Sequence, residues 1–188
     1  MRESWNHSKL ALLEHFLLVD WRPFNIYHIG PTFEPNDDDD QAFSEFEWLN
    51  LNSFVAKLFK LNSVSWYNFP IWEFQIGLES PISEEAAAAN TRVRVACEWI
   101  IQCARRFFRE SLLNTCSDEP EGGSHGYPFR GGPLYPGVSG YNLERWGLWK
   151  RRLGELRQES DEDVHGMIDE AIQAMVAVEK EVASSMSI

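Results

Sequence analysis

Tyr127, Arg130, Tyr135 and Arg145 carry side chains that can donate hydrogen bonds to a developing negative charge without themselves reacting. Trp72, Phe74, Trp99, Phe129, Trp146 and Trp149 supply broad ring surfaces that recur at helical spacing or sit among glycines. Combined, these ten residues describe a cavity with aromatic walls and a few donors. Such a site accelerates a reaction by holding a flexible apolar substrate in a reactive shape and stabilising charge as it forms. That is the chemistry of a cofactor-independent cyclase or isomerase, pericyclic reactions included. The expected catalytic residues are therefore Tyr127, Arg130, Tyr135 and Arg145. The other six are the expected ligand contacts, and the space enclosed should be roughly 300–1,000 Å³. The opposing reading is that the 8 Trp, 5 Tyr and 12 Phe simply pack a core.

The remaining chemistry-bearing residues give little. No G-x-S-x-G elbow, Walker loop or strand-linked G-x-G-x-x-G occurs. Gly131-Gly132-Pro133 lacks the following Lys and Ser/Thr that would cradle phosphate. The histidines at 7, 15, 28, 125 and 165 have no partner at metal-ligand spacing. His125 stands out only for its place beside Tyr127. Asp37–Asp40 superficially resembles the aspartate-rich Mg²⁺ motif of prenyl-transfer and terpene-cyclising enzymes. It lies at a loop-to-helix junction with no second carboxylate set, so a solvated helix start is the simpler reading. Neither a cofactor nor a metal is expected. Cys97, Cys103 and Cys116 are odd in number and lack metal spacing, which suits free thiols in a reducing compartment. A net charge of −12 disfavours nucleic acid and anionic membrane surfaces as partners. No apolar run approaches the ~18–20 residues that span a bilayer. A soluble, cytoplasmic protein is expected.

The positioning elements follow from periodicity. Residues 5–19 place Trp5, Leu12, Leu13 and Phe16 on one helical face. Residues 41–62 are apolar around much of their circumference, so that helix either contacts neighbours on two sides or breaks near Asn50–Asn52. Residues 69–79 alternate like a strand, but Pro70 suits a first helical turn and no second strand exists to pair with it. The spacing of Val93, Cys97, Ile100, Ala104, Phe107 and Ser111 predicts a long helix over 84–114, capped by Ser83. Trp146, Trp149, Leu153 and Leu156 stripe a helix over 141–158. Val164, Ile168, Ala171, Met175, Val178 and Val182 form an a/d seam over 161–184, with Ser160 as cap. Residues 115–140 hold seven Gly and four Pro, and Tyr127, Phe129 and Tyr135 among them should pack part of this loop onto the body. The expected fold is all-α: a single-domain bundle of about six helices over 1–188, with the long Gly/Pro-rich loop 115–140 between the fourth and fifth.

Three segments carry a family resemblance: Trp48–Phe59 (WLNLNSFVAKLF), Tyr141–Trp149 (YNLERWGLW) followed by basic residues, and the Ala171–Met175 helix. Over most of 40–180 the chain resembles a family of small helical proteins of filamentous fungi catalogued as a domain of unknown function. The resemblance implies an all-α fold and a fungal intracellular setting, and it brings no catalytic residues. Its association with specialised metabolism, where small orphan proteins act as cofactor-free cyclases, agrees with an apolar small-molecule metabolite as partner. The alternative is a non-catalytic interaction or scaffold protein docking through its C-terminal helix, whose seam could also form a homodimer.

Overall fold

A computed structural model describes residues 44–61, 66–82, 86–117 and 127–185. The expected helix over 5–19, Asp37–Asp40, Ser83 and His125 lie outside the described residues. Within them the chain is all-helical, with five helices: α1 Glu45–Lys60, α2 Asn68–Gly77, α3 Ala86–Leu113, α4 Leu143–Glu159 and α5 Glu162–Ser185.

α1 starts at a capping box rather than at the aspartate run: the Ser44 hydroxyl accepts from the Glu47 N–H, and the Glu47 carboxylate accepts from the Ser44 N–H. The helix does not break at its asparagines. Asn52 is instead buried, its amide donating to the Trp48 carbonyl and its oxygen accepting from the Trp99 indole at 2.8 Å. The ambiguous 69–79 stretch is the helix α2. Its alternating apolar residues suit a helix enclosed on several sides: Phe69, Ile71, Phe74 and Gly77 are all buried, and Phe74 meets both Phe107 and Trp149.

α3 is the central element. Besides its predicted face, Val95, Ala96, Trp99 and Cys103 are buried too, so the helix is enclosed by partners on several sides. It runs parallel to α1, since Glu98, Cys103 and Arg106 hydrogen-bond in turn with Ser53, Ala56 and Phe59. It runs parallel to α5 as well, through Arg94–Asp163 and Arg105–Glu181. α4 and α5 form an antiparallel pair joined at Ser160–Asp161, tied by Arg157–Asp169 and Lys150–Glu179. Ser160 is not the cap of α5. Its N–H closes α4 on the Leu156 carbonyl, and α5 begins at Glu162. The seam residues Val164, Ile168, Ala171 and Met175 are fully buried inside the chain, and only Val178 and Val182 remain partly open. A docking surface built on the whole seam is therefore occupied within the chain itself.

The described part of the 115–140 segment lies against the helices. Gly132 abuts the end of α2, where a Cβ would come within 2.8 Å of the Glu79 carbonyl. Gly140 has φ +81°, and a Cβ there would collide with the Cys116 backbone. Its N–H donates to the Phe129 carbonyl at 2.8 Å. Gly140→Ala combines left-handed strain with a backbone clash, and a loss of about 2 kcal/mol or more is expected in urea unfolding. A midpoint unchanged from wild type would show that this backbone crossing relaxes freely.

Candidate functional site

Of the four expected catalytic residues, the fold gathers three around one buried ion pair. Arg145, on the first turn of α4, is fully buried and faces Glu79, which follows α2 and is also fully buried. Arg145 Nε donates to Glu79 Oε1 at 2.6 Å and Nη2 to Oε2 at 2.9 Å. The other guanidinium hydrogens go to the carbonyls of Phe129, Arg130 and Gly140, at 2.8–2.9 Å. Trp149 Nε1 and the Gly132 N–H complete the carboxylate's partners. All five guanidinium donors and both carboxylate oxygens are thus satisfied within the chain. Arg130 contributes its backbone carbonyl, to Arg145 and to the Gln75 amide. Tyr135 lies with its ring 5.2 Å from the guanidinium carbon and donates its hydroxyl to Asn142 at 3.0 Å. Burial raises the Tyr135 pKa, so its phenol stays a proton donor. Tyr127 sits apart, donating to the Cys116 carbonyl. This constellation fastens the 127–140 segment to α2 and α4. Arg145 itself has no donor left for a substrate, so it is a positioning residue of the fold.

The six expected ligand contacts are distributed through packed rings. Phe74 and Trp149 stand 4.5 Å apart between centroids. Phe107 lies between Phe59, Phe74, Trp99 and Tyr141, at 5.3–6.4 Å. Trp99 meets α1, through Asn52 and Phe59. Trp146 packs on Phe108 and donates to Glu179. Phe129 lies tilted against Tyr127, and Trp72 is half-buried against Phe69. At these residues the rings fill the space they were expected to enclose. Cys97 and Cys103 are buried beside them, and desolvation pushes both thiols up to about 12, far from a reactive thiolate.

A cleft of about 120 Å³ opens elsewhere, where the end of α2 and the start of α3 meet the α4–α5 turn. Ile76, Gly77, Asn90, Arg92, Ser160 and Asp161 are among its lining residues, and none of the ten expected site residues is. It is narrower than the volume expected from sequence. The close approach of α2 to α3 shapes it: a Cβ on Gly77 would come within 2.7 Å of the Arg92 carbonyl.

One turn before Ile76 and Gly77 on α2 stands Glu73, a half-buried residue not singled out by sequence. Desolvation pushes its carboxyl up to about 8, and a hydrogen bond from the Trp48 side chain and the charge of Arg92 only partly oppose this. The available signal was composition: Glu73 is the one charged residue between Trp66 and Leu78. Glu79 had no such signal, because its partner is 66 residues away. The basic residues of α3 and α4 mostly have acidic partners: Arg105 with Glu181, Arg109 with Glu110, Lys150 with Glu179, Arg151 and Arg152 with Glu155, and Arg157 with Asp169.

No described helix is long and apolar enough to cross a membrane. Neither a curated protein nor a solved structure matches the chain. A family model described as "Protein of unknown function (DUF3632)" matches residues 3–153, and the chain belongs to that family.

Proposed function

We propose that the protein binds a small molecule in the cleft between α2, α3 and the α4–α5 turn and exchanges a proton with it through Glu73. That is the working part of a cofactor-independent isomerase or cyclase. The observation that carries this reading is the placement of Glu73: a desolvated carboxyl one helical turn from the cleft, facing Arg92, which lines it. General acid–base catalysis is most effective when the group's pKa lies near the working pH, and a desolvated carboxyl meets that condition. The cleft has room for about four waters at ~30 Å³ each, so it suits the polar end of a ligand. The half-exposed Ile76 and Ile82 at its rim suit an apolar remainder. The expected donors Tyr127, Arg130, Tyr135 and Arg145 have no part in this version of the reaction.

Titrating the Glu73 carboxyl by ¹³C NMR, with Glu73→Gln to assign the signal, should give a midpoint near 8. A midpoint near the ordinary value of 4.5 removes the acid–base role. Stability gives a second check. Between the unfolded value of 4.5 and the folded value of about 8, the folded chain holds a proton that the unfolded chain has lost. Stability therefore falls as pH rises through this window, by about 3 kcal/mol after allowing for solvent reaching a half-buried side chain. Glu73→Gln should lack this loss and overtake wild type towards alkaline pH. Equal pH dependence of the two proteins in urea unfolding counts against a desolvated carboxyl. Binding is tested by native mass spectrometry of the protein from its own host. A retained small molecule should disappear in Ala89→Trp, which fills the cleft; its survival there places the ligand elsewhere.

A further inference from the structure

We infer that the ligand of this cleft carries a carboxylate, held by the guanidinium of Arg92, with an apolar tail over Ile76 and Ile82. The inference rests on the cleft proposed above and names its ligand class.

Charge pairing around the cleft selects the anion. Arg92 is half-buried, lines the cleft, and makes no salt bridge and no side-chain hydrogen bond among the described residues. The neighbouring Arg94 is paired with Asp163, and Arg145 is fully satisfied. The acids at the cleft have partners of their own. Asp161 accepts from the Asn90 amide at 2.5 Å, and Glu159 lies 3.6 Å from Arg152. The acid nearest in effect to Arg92 is Glu73, whose desolvation favours the neutral form. A partly desolvated guanidinium that makes no ion pair among the described residues gains from a counter-charge, and a ligand carboxylate supplies one. The planar fork of Arg matches a carboxylate with two parallel hydrogen bonds. Glu159 and Asp161 on the rim favour one negative charge over two, hence a carboxylate over a phosphate dianion. Apolar Pro81, Ile82, Ala89 and Val93 complete the lining beside this charged spot.

The groups acting on Glu73 are the Trp48 indole on α1 and the charge of Arg92 on α3; Glu159 and Asp161 line the cleft beside Arg92, and His165 contacts the Ser160 carbonyl behind them. Below the Glu73 midpoint, Arg92 is free to bind the anion. Above it, the ionised Glu73 pairs with Arg92 and repels the ligand. Carboxylate binding should therefore weaken as pH rises through that midpoint, and in Glu73→Gln this dependence should vanish.

The test uses hexanoate, hexanamide and hexanol as probes in isothermal titration of the full chain. Hexanoate should bind at least about tenfold more tightly than the two neutral probes, the preference expected of a charge-assisted pair. Arg92→Gln should erase that preference while hexanol binding is kept, which also shows that the variant is folded; Arg92→Lys should keep part of it. If hexanol binds as well as hexanoate, the carboxylate assignment is overturned and the cleft stands. If Arg92→Gln keeps the preference, the anion sits elsewhere and the assignment is overturned. If no probe binds, the assignment falls too, while the titration of Glu73 decides the acid–base reading independently.

Discussion

Arg145→Met should destabilise the protein by about 3–5 kcal/mol, because it leaves the Glu79 carboxylate buried and without its cation. Arg145 and Glu79 are both wholly enclosed, and the guanidinium also holds the carbonyls of Phe129, Arg130 and Gly140. Each of these three backbone acceptors would lose one donor in the same substitution, with Phe129 and Arg130 keeping a second one. Glu79→Leu should be nearly as damaging, since it strands the guanidinium. The double variant Arg145→Met with Glu79→Leu should cost less than the sum of the singles, because removing both partners leaves no unpaired charge. Urea unfolding of the four proteins measures this directly. Additive losses would mean that the pair is not coupled. A stable Arg145→Met that has lost an activity would return Arg145 to the catalytic list, contrary to its full set of internal partners.

Phe107→Ala should cost about 3–5 kcal/mol, from lost burial and from a cavity that rigid neighbours cannot close. Its ring stacks on Tyr141 at 5.8 Å and meets the edge of Phe74 at 5.3 Å, with Phe59 on another side. Because four aromatic side chains from α1, α2, α3 and the chain entering α4 surround this site, collapse would require several elements to move together. An apolar cavity of that kind stays dry and accepts a small arene. Benzene should therefore raise the melting temperature of Phe107→Ala and leave wild type unaffected. An equal rise in wild type would reveal a pre-existing aromatic cavity and revive Phe74, Trp99 and Trp149 as ligand contacts.

These predictions mark how far the sequence could be read. Val93, Cys97, Ile100, Ala104 and Phe107 on one chain face, and Trp146, Trp149, Leu153 and Leu156 on another, are buried as their spacing requires. Helical periodicity reports burial because every third or fourth side chain must face the same neighbour. Periodicity does not report what the neighbour is. Trp99 was legible as a broad ring at helical spacing, but only the parallel packing of α1 on α3 makes Asn52 its polar contact. Boundaries were also beyond it: Ser160 has the chemistry of a cap, yet its N–H ends α4 because the α4–α5 turn is so short.

The candidate site was less legible for the same reason. Arg145 and Tyr135 look like donors in isolation, and a donor's availability depends on how many of its hydrogens the fold has already used. Glu73 looks like an ordinary surface carboxylate by type, and its acidity depends on desolvation beside Trp48 and Arg92. By itself the sequence determined the helical class, the faces that turn inward and the family, since these follow from local spacing and residue type. Only the tertiary structure decided which polar groups are satisfied, which are desolvated and where space remains. Those properties arise between residues distant along the chain, and no local pattern encodes the distance between them.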